Sequence, residues 1–221
     1  MYKRQGLRDI DFDLLEVINP GGPEHEVRLQ AVRKDWLSFL KQGEKIVATA
    51  NSDSHGSDNQ VAVPRTMVAM ENDQVTSFDQ EKFLKSLKSG NAYGTTGPMI
   101  NLSLDGKRMS EMLSAKQATL SLTIKSADWI NVDTAKIQIN GDTVVEQALT
   151  EDKKIANPNS LHLYQLDIPL IFEKDSFLTV EVTGKASADY QTIYPEITPY
   201  AFSNAIYVDY DLDGQWQAPG L

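Results

Sequence analysis

GTTGP, residues 94–98, separates two parts of the sequence that differ in their pattern of apolar residues. Before it, short apolar runs alternate with segments whose apolar residues recur at helical spacing. After it, extended runs dominate, and apolar residues occupy every second position in Leu120, Leu122 and Ile124. A period of two is typical of a half-buried strand, whereas alternation of strands and helices is typical of an α/β region. The sequence therefore predicts an α/β part up to Pro98, followed by an all-β part, with a tight junction between them.

The α/β part begins with a predicted strand, helix and strand. FDLLEVI (12–18) is a short apolar run that ends in turn residues at Asn19-Pro20-Gly21-Gly22, and KIVATA (45–50) is a second such run. Between them, a helix is predicted from Pro23 to Gln42, with Gly43 at its end. Its apolar face comprises Leu29, Val32, Trp36, Phe39 and Leu40.

A second helix is predicted before the junction. VAVPRTMVAM (61–70) has an extended pattern, and Ser77-x-x-Gln80 resembles a capping box that opens a helix closed by Gly90. Beyond the junction, about six to eight short strands in residues 99–221 indicate an antiparallel sandwich. Asp105-Gly106 and Asn140-Gly141 are turn dipeptides typical of hairpins.

Composition excludes several classes of protein. The chain has 221 residues, a formal net charge of −10 and no cysteine. The negative charge argues against nucleic acid and anionic membranes as partners, since both require a basic surface. Without cysteine, neither a disulfide framework nor a thiolate metal site forms. No run of 18 apolar residues occurs, so no membrane-spanning segment is predicted.

The first five residues, Met1-Tyr2-Lys3-Arg4-Gln5, resemble the translation of a sequencing-adapter end. We interpret residues 1–5 as a scar and expect the native sequence to begin near Gly6. A genuine basic N-terminus is the alternative. On the first interpretation, the upstream coding sequence has room for a signal peptide or half an active site. The compartment is left open: exported if a signal peptide lies upstream, and cytoplasmic otherwise.

ATANSDSHGSDN (48–59) contains the candidate metal ligands. In an extended backbone, Asp53 and His55 point to the same side at the end of the KIVATA strand. A carboxylate beside an imidazole suits Zn, Mn or Fe. On spacing alone, a polar turn with a chance histidine is an equally good interpretation.

The order of these motifs supplies further context. FDLLEVIN, ATANSDSH, VPRT and YGTTGP, with the tail AFSNAIYVDYDLDGQW, resemble the C-terminal part of the PHP family (polymerase and histidinol phosphatase) of metal-dependent hydrolases, in its CehA/McbA-like branch. The resemblance implies that residues 6–98 are the end of a distorted β/α barrel and that residues 99–221 form a β-sandwich-like domain. It also implies divalent metal ions that activate water to cleave a small-molecule phosphoester, carbamate or aryl ester.

The resemblance assigns roles to five residues. Asp53 and His55 match the family's last metal-binding motif, Asp-x-His. Glu16 is a metal ligand, a partner of a ligand or a structural acid at a strand end. Arg65 binds a substrate anion or pins its loop, with the structural role favoured, and Asn51 is a further candidate for substrate binding.

The histidine count departs from the family pattern. The family begins with a His-x-His motif, whereas this chain has only His25, His55 and His162. His25 is expected to be a solvated residue at a helix start, and His162 a surface or packed residue of the β part. Because a catalytic metal needs three or more protein ligands, we expect this chain to be inactive alone and its remaining ligands to lie upstream. The alternative is a non-catalytic binding or structural β module joined to a degenerate barrel.

Two other motifs have structural interpretations. Asp209-x-Asp211-x-Asp213-Gly214 matches the first half of a calcium loop, but Gly220 stands where the bidentate glutamate belongs. A polar turn, with Trp216 packing the tail against the sheet, is the favoured interpretation. Gly94-Thr95-Thr96-Gly97 lacks the pattern of a phosphate-binding loop.

Overall fold

A computed structural model describes residues 11–19, 24–56, 60–72, 74–156, 161–195 and 197–220. The adapter-like residues 1–5, the turn residues 20–22 and the predicted helix start at Pro23 lie outside the described residues. The described chain is mostly β-structure in several sheets, with a smaller helical part, which is the broad combination that the sequence predicts.

The first structural unit is a parallel strand–helix–strand. Strand β1 (Leu14–Ile18) and strand β2 (Val47–Ala50) pair in parallel and are connected through helix α1 (His25–Lys41). The helix buries an apolar face that includes Leu29, Trp36 and Leu40. The Trp36 indole N–H donates to the carbonyl of Ile46 at 2.8 Å, which ties the helix to the start of β2.

The second unit contains strand β3 (Arg65–Val68), helix α2 (Gln80–Ser89) and strand β4 (Ala92–Thr95). The predicted capping box is wrong in its cap residue. Asp79 caps the helix by accepting from the Lys82 N–H at 3.1 Å, while Ser77 belongs to a preceding 3₁₀ turn. Gly90 ends the helix in the left-handed conformation, as predicted.

The β-rich part is built from two sheets. Strands β5 (Met99–Leu104), β7 (Gln117–Ala127) and β10 (Leu161–Ile171) form an antiparallel sheet in the order β10-β7-β5. The larger sheet joins β3 and β4 to six further strands: β6 (Met112–Ser114), β8 (Thr134–Ile139), β9 (Asp142–Ala148), β11 (Ser176–Thr183), β12 (Tyr200–Ser203) and β13 (Ile206–Asp209). Its path is β3-β4-β12-β11-β13-β6, with β8 pairing β11 and β9 pairing β8. Helix α3 (Ala188–Ile193) lies between β11 and β12 in the chain.

A single apolar cluster lies between the two sheets. The alternating residues Leu120, Leu122 and Ile124 are buried in it, as their spacing predicts. They share this cluster with Ile137 and Val180 of the larger sheet. The face of β7 that the sequence predicts to be apolar therefore packs against the other sheet.

The larger sheet crosses the predicted boundary after Pro98, because it combines β3 and β4 with strands of the β-rich part. A second apolar cluster joins Leu15, Trp36 and Leu40 to Phe177 and Phe202. The division at residue 98 stays a prediction about the chain. In space, the two parts share a sheet and a core.

The GTTGP junction has no room for larger side chains at its first glycine. A Cβ atom on Gly94 would lie 2.3 Å from the Phe202 ring and 2.9 Å from the Ala50 Cβ. The Thr96 hydroxyl donates to the Thr198 carbonyl at 2.8 Å and accepts from the Tyr200 N–H at 2.8 Å. These contacts give the junction a structural role.

Side chains, and not a backbone ladder, connect β2 to the larger sheet. The buried Asn204 amide accepts from the Ala48 N–H at 2.8 Å and donates to the carbonyls of Ala48 and Ala92 at 3.0 and 2.9 Å. The Thr66 hydroxyl accepts from the Ala50 N–H and donates to its carbonyl, both at 2.9 Å. Because the end of β2 is held in this way, the loop that follows it starts from a fixed position.

The C-terminal tail packs against the sheet, as predicted. The Trp216 ring lies 4.8 Å from the Tyr207 ring, and its indole N–H donates to the Ser176 carbonyl at 2.8 Å. Farther along, the Gly220 N–H donates to the Lys41 carbonyl at 3.0 Å, so the tail also contacts the end of α1.

Candidate metal and substrate site

Asp53 and His55 follow the end of β2 and lie close together. The Asp53 Oδ2 atom is 4.0 Å from His55 Nε2, and both side chains are exposed. The expected extended backbone is wrong at this point, since Asp53 has φ = 46°. Aspartate tolerates this left-handed conformation better than most residues. The two side chains therefore meet in an irregular segment after β2 and not by strand alternation.

Four of the five predicted site residues line one groove. Glu16, Asn51, Asp53 and Arg65 surround an open volume of about 700 Å³, and His55 stands beside Asp53. Glu16 reaches the groove from β1, where it is paired with Thr49 of β2. Parallel strands bring their carboxyl ends to the same edge of a sheet, which places Glu16 near the loop that follows β2.

The groove also has an apolar wall. Leu14 of β1, Val68 of β3, and Phe83 and Leu87 of α2 contribute to its lining. Helix α2 has no fully buried residue, and two of its apolar side chains, Phe83 and Leu87, line the groove. The groove thus combines two acids and a guanidinium with an apolar surface.

Asn19 is a site residue, although its sequence context predicts only a turn. Its side-chain amide donates to Glu16 Oε2 at 3.3 Å and to Asp53 Oδ2 at 3.4 Å. The local signal was its position directly after β1. Asp53 is 34 residues away from Asn19 in sequence, so their contact depends on the pairing of β1 with β2.

Arg65 and Asn51 each make a local contact. The Arg65 guanidinium donates to the Ala62 carbonyl at 3.3 Å, so it contacts its own loop through a carbonyl and not a carboxylate. The Asn51 amide donates to the Thr49 hydroxyl at 3.2 Å. Both side chains line the groove. Their roles in substrate binding stay predictions.

The other two histidines occupy different surroundings. His25 was expected to be solvated, which is wrong. It is 5% exposed, and its Nδ1 atom lies 3.3 Å from the Asn19 carbonyl. His162 is half-buried on β10, in the three-stranded sheet, where burial and then the Lys154 charge lower its pKa. His162 therefore lies on a different sheet from the groove.

Asp53 and His55 fit two positions around a divalent ion. A carboxylate oxygen and an imidazole nitrogen are suitable donors for Zn, Mn or Fe. In the described part of the chain, the one set of three acidic or histidine donors that all lie within 4.8 Å of one another is Asp175, Asp209 and Asp211, away from this groove. Asp53 and His55 are therefore two candidate ligands among the described residues, fewer than a catalytic ion needs.

The aspartate cluster is a hydrogen-bonded turn. The buried Asp209 carboxylate accepts from the Ser114 hydroxyl at 2.6 Å and from the N–H groups of Leu212 and Gly214 at 2.8 and 2.9 Å. Asp175 accepts from the Tyr210 N–H at 2.8 Å. Backbone and hydroxyl donors occupy these carboxylates, in agreement with the polar-turn interpretation.

Replacing Asp209 by asparagine is expected to reduce stability at neutral pH and to flatten its decline in acid. The Ser114 hydroxyl, and then the backbone donors, lower the pKa of Asp209 below its ordinary value of 3.8. This stabilisation is complete above the unfolded-state pKa and is lost as the pH falls through the lower folded-state pKa. Urea unfolding across the acid range measures it, with the exposed Asp213→Asn in the same turn as control. Parallel stability–pH curves for Asp209→Asn and the wild type would contradict the prediction.

Comparison with known proteins assigns no family to the chain: no protein-family model matches it, and no curated protein matches it. Among the described residues, no helix is long and apolar enough to cross a membrane.

Proposed function

We propose that this chain is the C-terminal part of a PHP-type metal-dependent hydrolase that cleaves a small-molecule phosphoester, carbamate or aryl ester. The observation that carries the proposal is the Asp53–His55 pair, with donor atoms 4.0 Å apart at the end of β2 and at the edge of an open groove. Functional groups of β/α barrels sit at the carboxyl ends of their strands.

The architecture around the pair supports a partial barrel. Strands β1 and β2 with α1 form the parallel repeat from which β/α barrels are built. Among the described strands, β1 pairs with β2 alone, so its other edge has no described neighbour. Helix α1 covers one face of this pair, with Leu15 and Val17 buried, while Leu14 and Glu16 line the groove on the other. An unpaired edge of this kind is normally covered in a native protein. Preceding strands of a longer polypeptide would cover it.

The residues of the groove have complementary tasks in this proposal. Asp53 and His55 hold a divalent ion together with upstream ligands, and Glu16 adds negative charge beside them. When bound, such ions polarise the scissile group and activate water. Arg65 attracts the anionic group of a phosphoester, Asn51 offers an amide hydrogen bond, and the wall at Phe83 and Leu87 takes an apolar substituent.

Metal analysis of a longer protein tests the proposal. The coding sequence upstream of Gly6 is expected to encode a His-x-His motif. The protein expressed with that segment is expected to bind two or more divalent ions and to hydrolyse p-nitrophenyl phosphate or a p-nitrophenyl ester. The 221-residue chain alone is expected to be inactive. A longer protein that contains no metal would contradict the proposal.

Residues 99–221 distinguish the proposal from its alternative, an independent β module that would fold on its own. Expressed alone, they are expected not to unfold cooperatively, because they would lose β3 and β4 and expose Phe177 and Phe202 of the shared cluster. Thermal unfolding monitored by circular dichroism, beside the 221-residue chain, measures this. A cooperative transition at the same temperature would favour a self-contained binding module over a domain that supports the barrel.

A further inference from the structure

We propose that Asn19 and His25 position the acidic side chains of the candidate metal site. Asn19 is the bridge between the two acids, and His25 fixes Asn19 to helix α1. This inference rests on the proposed function, because it concerns the same metal site. It gives a role in the site to two residues that are not among the predicted metal ligands or substrate-binding residues.

The Asn19 amide bridges two carboxylates that belong to different strands. Its Nδ2 atom lies 3.3 Å from Glu16 Oε2 and 3.4 Å from Asp53 Oδ2. A side-chain NH₂ group has two N–H donors, one for each acceptor. Two neighbouring carboxylates repel each other. A neutral donor between them reduces that repulsion and sets their separation without supplying a competing charge.

Each carboxylate retains further lone pairs for an ion. An ionised carboxylate has two oxygens and about four acceptor sites, and Asn19 uses one oxygen of each. Carboxylates that bind metals are themselves commonly hydrogen-bonded, and these bonds orient them. A hydrogen bond that orients the carboxylate matters most at Asp53, because the Asp53 side chain is exposed and its backbone, with φ = 46°, lies outside any regular element.

His25 connects this bridge to the core. It is the first residue of α1 and is 5% exposed, and its Nδ1 atom lies 3.3 Å from the Asn19 carbonyl. With the proton on Nδ1, the imidazole donates to that carbonyl. Helix α1 is itself held by the buried Trp36 and Leu40. The contacts therefore run from a packed helix through His25 to Asn19 and on to Glu16 and Asp53.

Mn²⁺ titration of the 221-residue chain, followed by NMR, tests the positioning role. The ion broadens resonances near its site, so the His55 side chain reports on the groove separately from the Asp175–Asp209–Asp211 cluster. Broadening at His55 is expected at lower Mn²⁺ concentration than at His162. Asn19→Leu, which has similar bulk but no donor, is expected to weaken the apparent affinity at His55 about tenfold, in the range seen when partners of metal ligands are removed.

Companion variants separate positioning from a general loss of structure. Asn19→Gln keeps the NH₂ donor and is expected to recover part of the affinity. His25→Phe keeps a buried ring but removes the contact with the Asn19 carbonyl, so a smaller loss is expected. The exposed Asn101→Leu on β5 is the matched control and is expected to titrate like the wild type.

The possible outcomes distinguish this inference from the proposed function. If His55 of the wild type is not broadened before His162, the positioning role is wrong, while the proposed function is decided separately by the metal content of the protein extended upstream of Gly6. If the wild type is broadened and Asn19→Leu requires the same Mn²⁺ concentration, only the positioning role is wrong. Should Asn19→Leu fail to fold, His25→Phe decides, and an unchanged affinity in that variant overturns the inference.

Discussion

Replacing Arg33 by methionine is expected to destabilise the protein by about 3–5 kcal/mol, the loss typical of breaking a buried ion pair on one side. Arg33 and Glu181 are 5% and 6% exposed, and their charged atoms Nη1 and Oε2 lie 3.9 Å apart. Methionine retains most of the buried stem but leaves the Glu181 carboxylate unpaired in the core.

Other buried groups depend on the same pair. Arg33 donates to the side-chain amide oxygen of Gln138, Oε1, which also accepts from the Thr179 hydroxyl at 3.2 Å. The Tyr200 hydroxyl donates to Glu181 at 2.6 Å, and burial raises the pKa of Tyr200 well above its usual value, so it remains a neutral donor. The network joins α1 to β8, β11 and β12, and its loss affects the attachment of the helix to the larger sheet.

Urea unfolding of the variants measures this effect. Lys34→Met is the matched control, since Lys34 is exposed on the same helix, and a change within about 0.5 kcal/mol is expected for it. The double variant Arg33→Met/Glu181→Gln removes both charges and is expected to recover much of the loss. Equal stability of Arg33→Met and Lys34→Met would show that the network contributes little.

Arg33 also shows where local pattern stops predicting the fold. The apolar spacing of α1 places Leu29, Trp36 and Leu40 on the buried face, as observed. Arg33 lies on that face at helical spacing from Leu29 and Trp36. A hydrophobicity pattern does not predict its burial, because its side chain is charged. Its partner Gln138 is 105 residues away and becomes adjacent only when the larger sheet forms.

The same distinction applies to the sheets. Period-two spacing predicted the buried face of β7 because that signal is local. The continuation of the larger sheet across Pro98 depends on β4 pairing with β12, and no local signal specifies partners so far apart. The pattern of apolar residues does change at GTTGP. Which residues share a core, however, is determined by strand pairing and not by that local pattern.

At the candidate site, the sequence predicts the candidate ligands and the structure adds their geometry. The spacing of Asp53 and His55, and their place after a strand, are local features. Asn19 lies three residues from Glu16, but its contact with Asp53 requires the parallel pairing of β1 with β2, in which the register shifts between Glu16 and Ile18. That shift interrupts simple alternation along β1, so pattern alone does not indicate where Asn19 points.

His55→Ala, in the protein extended upstream of Gly6, is expected to lower metal-dependent hydrolysis more than about a hundredfold. Removal of a partner that only orients a metal ligand costs about 10–100-fold, and a ligand itself is expected to cost more. Alanine removes the imidazole that stands 4.0 Å from Asp53 Oδ2. Because the His55 side chain is 78% exposed, its loss leaves no cavity, and unfolding is expected to be nearly unchanged.

Three measurements on the same samples decide between a metal ligand and a chance histidine in a turn. Metal content by mass spectrometry is expected to fall in His55→Ala, activity to fall with it, and the thermal midpoint of the metal-free protein to stay constant. His162→Ala removes a histidine from the three-stranded sheet and is expected to keep full metal content. If His55→Ala retains metal and hydrolysis at the level of His162→Ala, the NSDSH segment is a polar turn, and the function must be sought outside this groove.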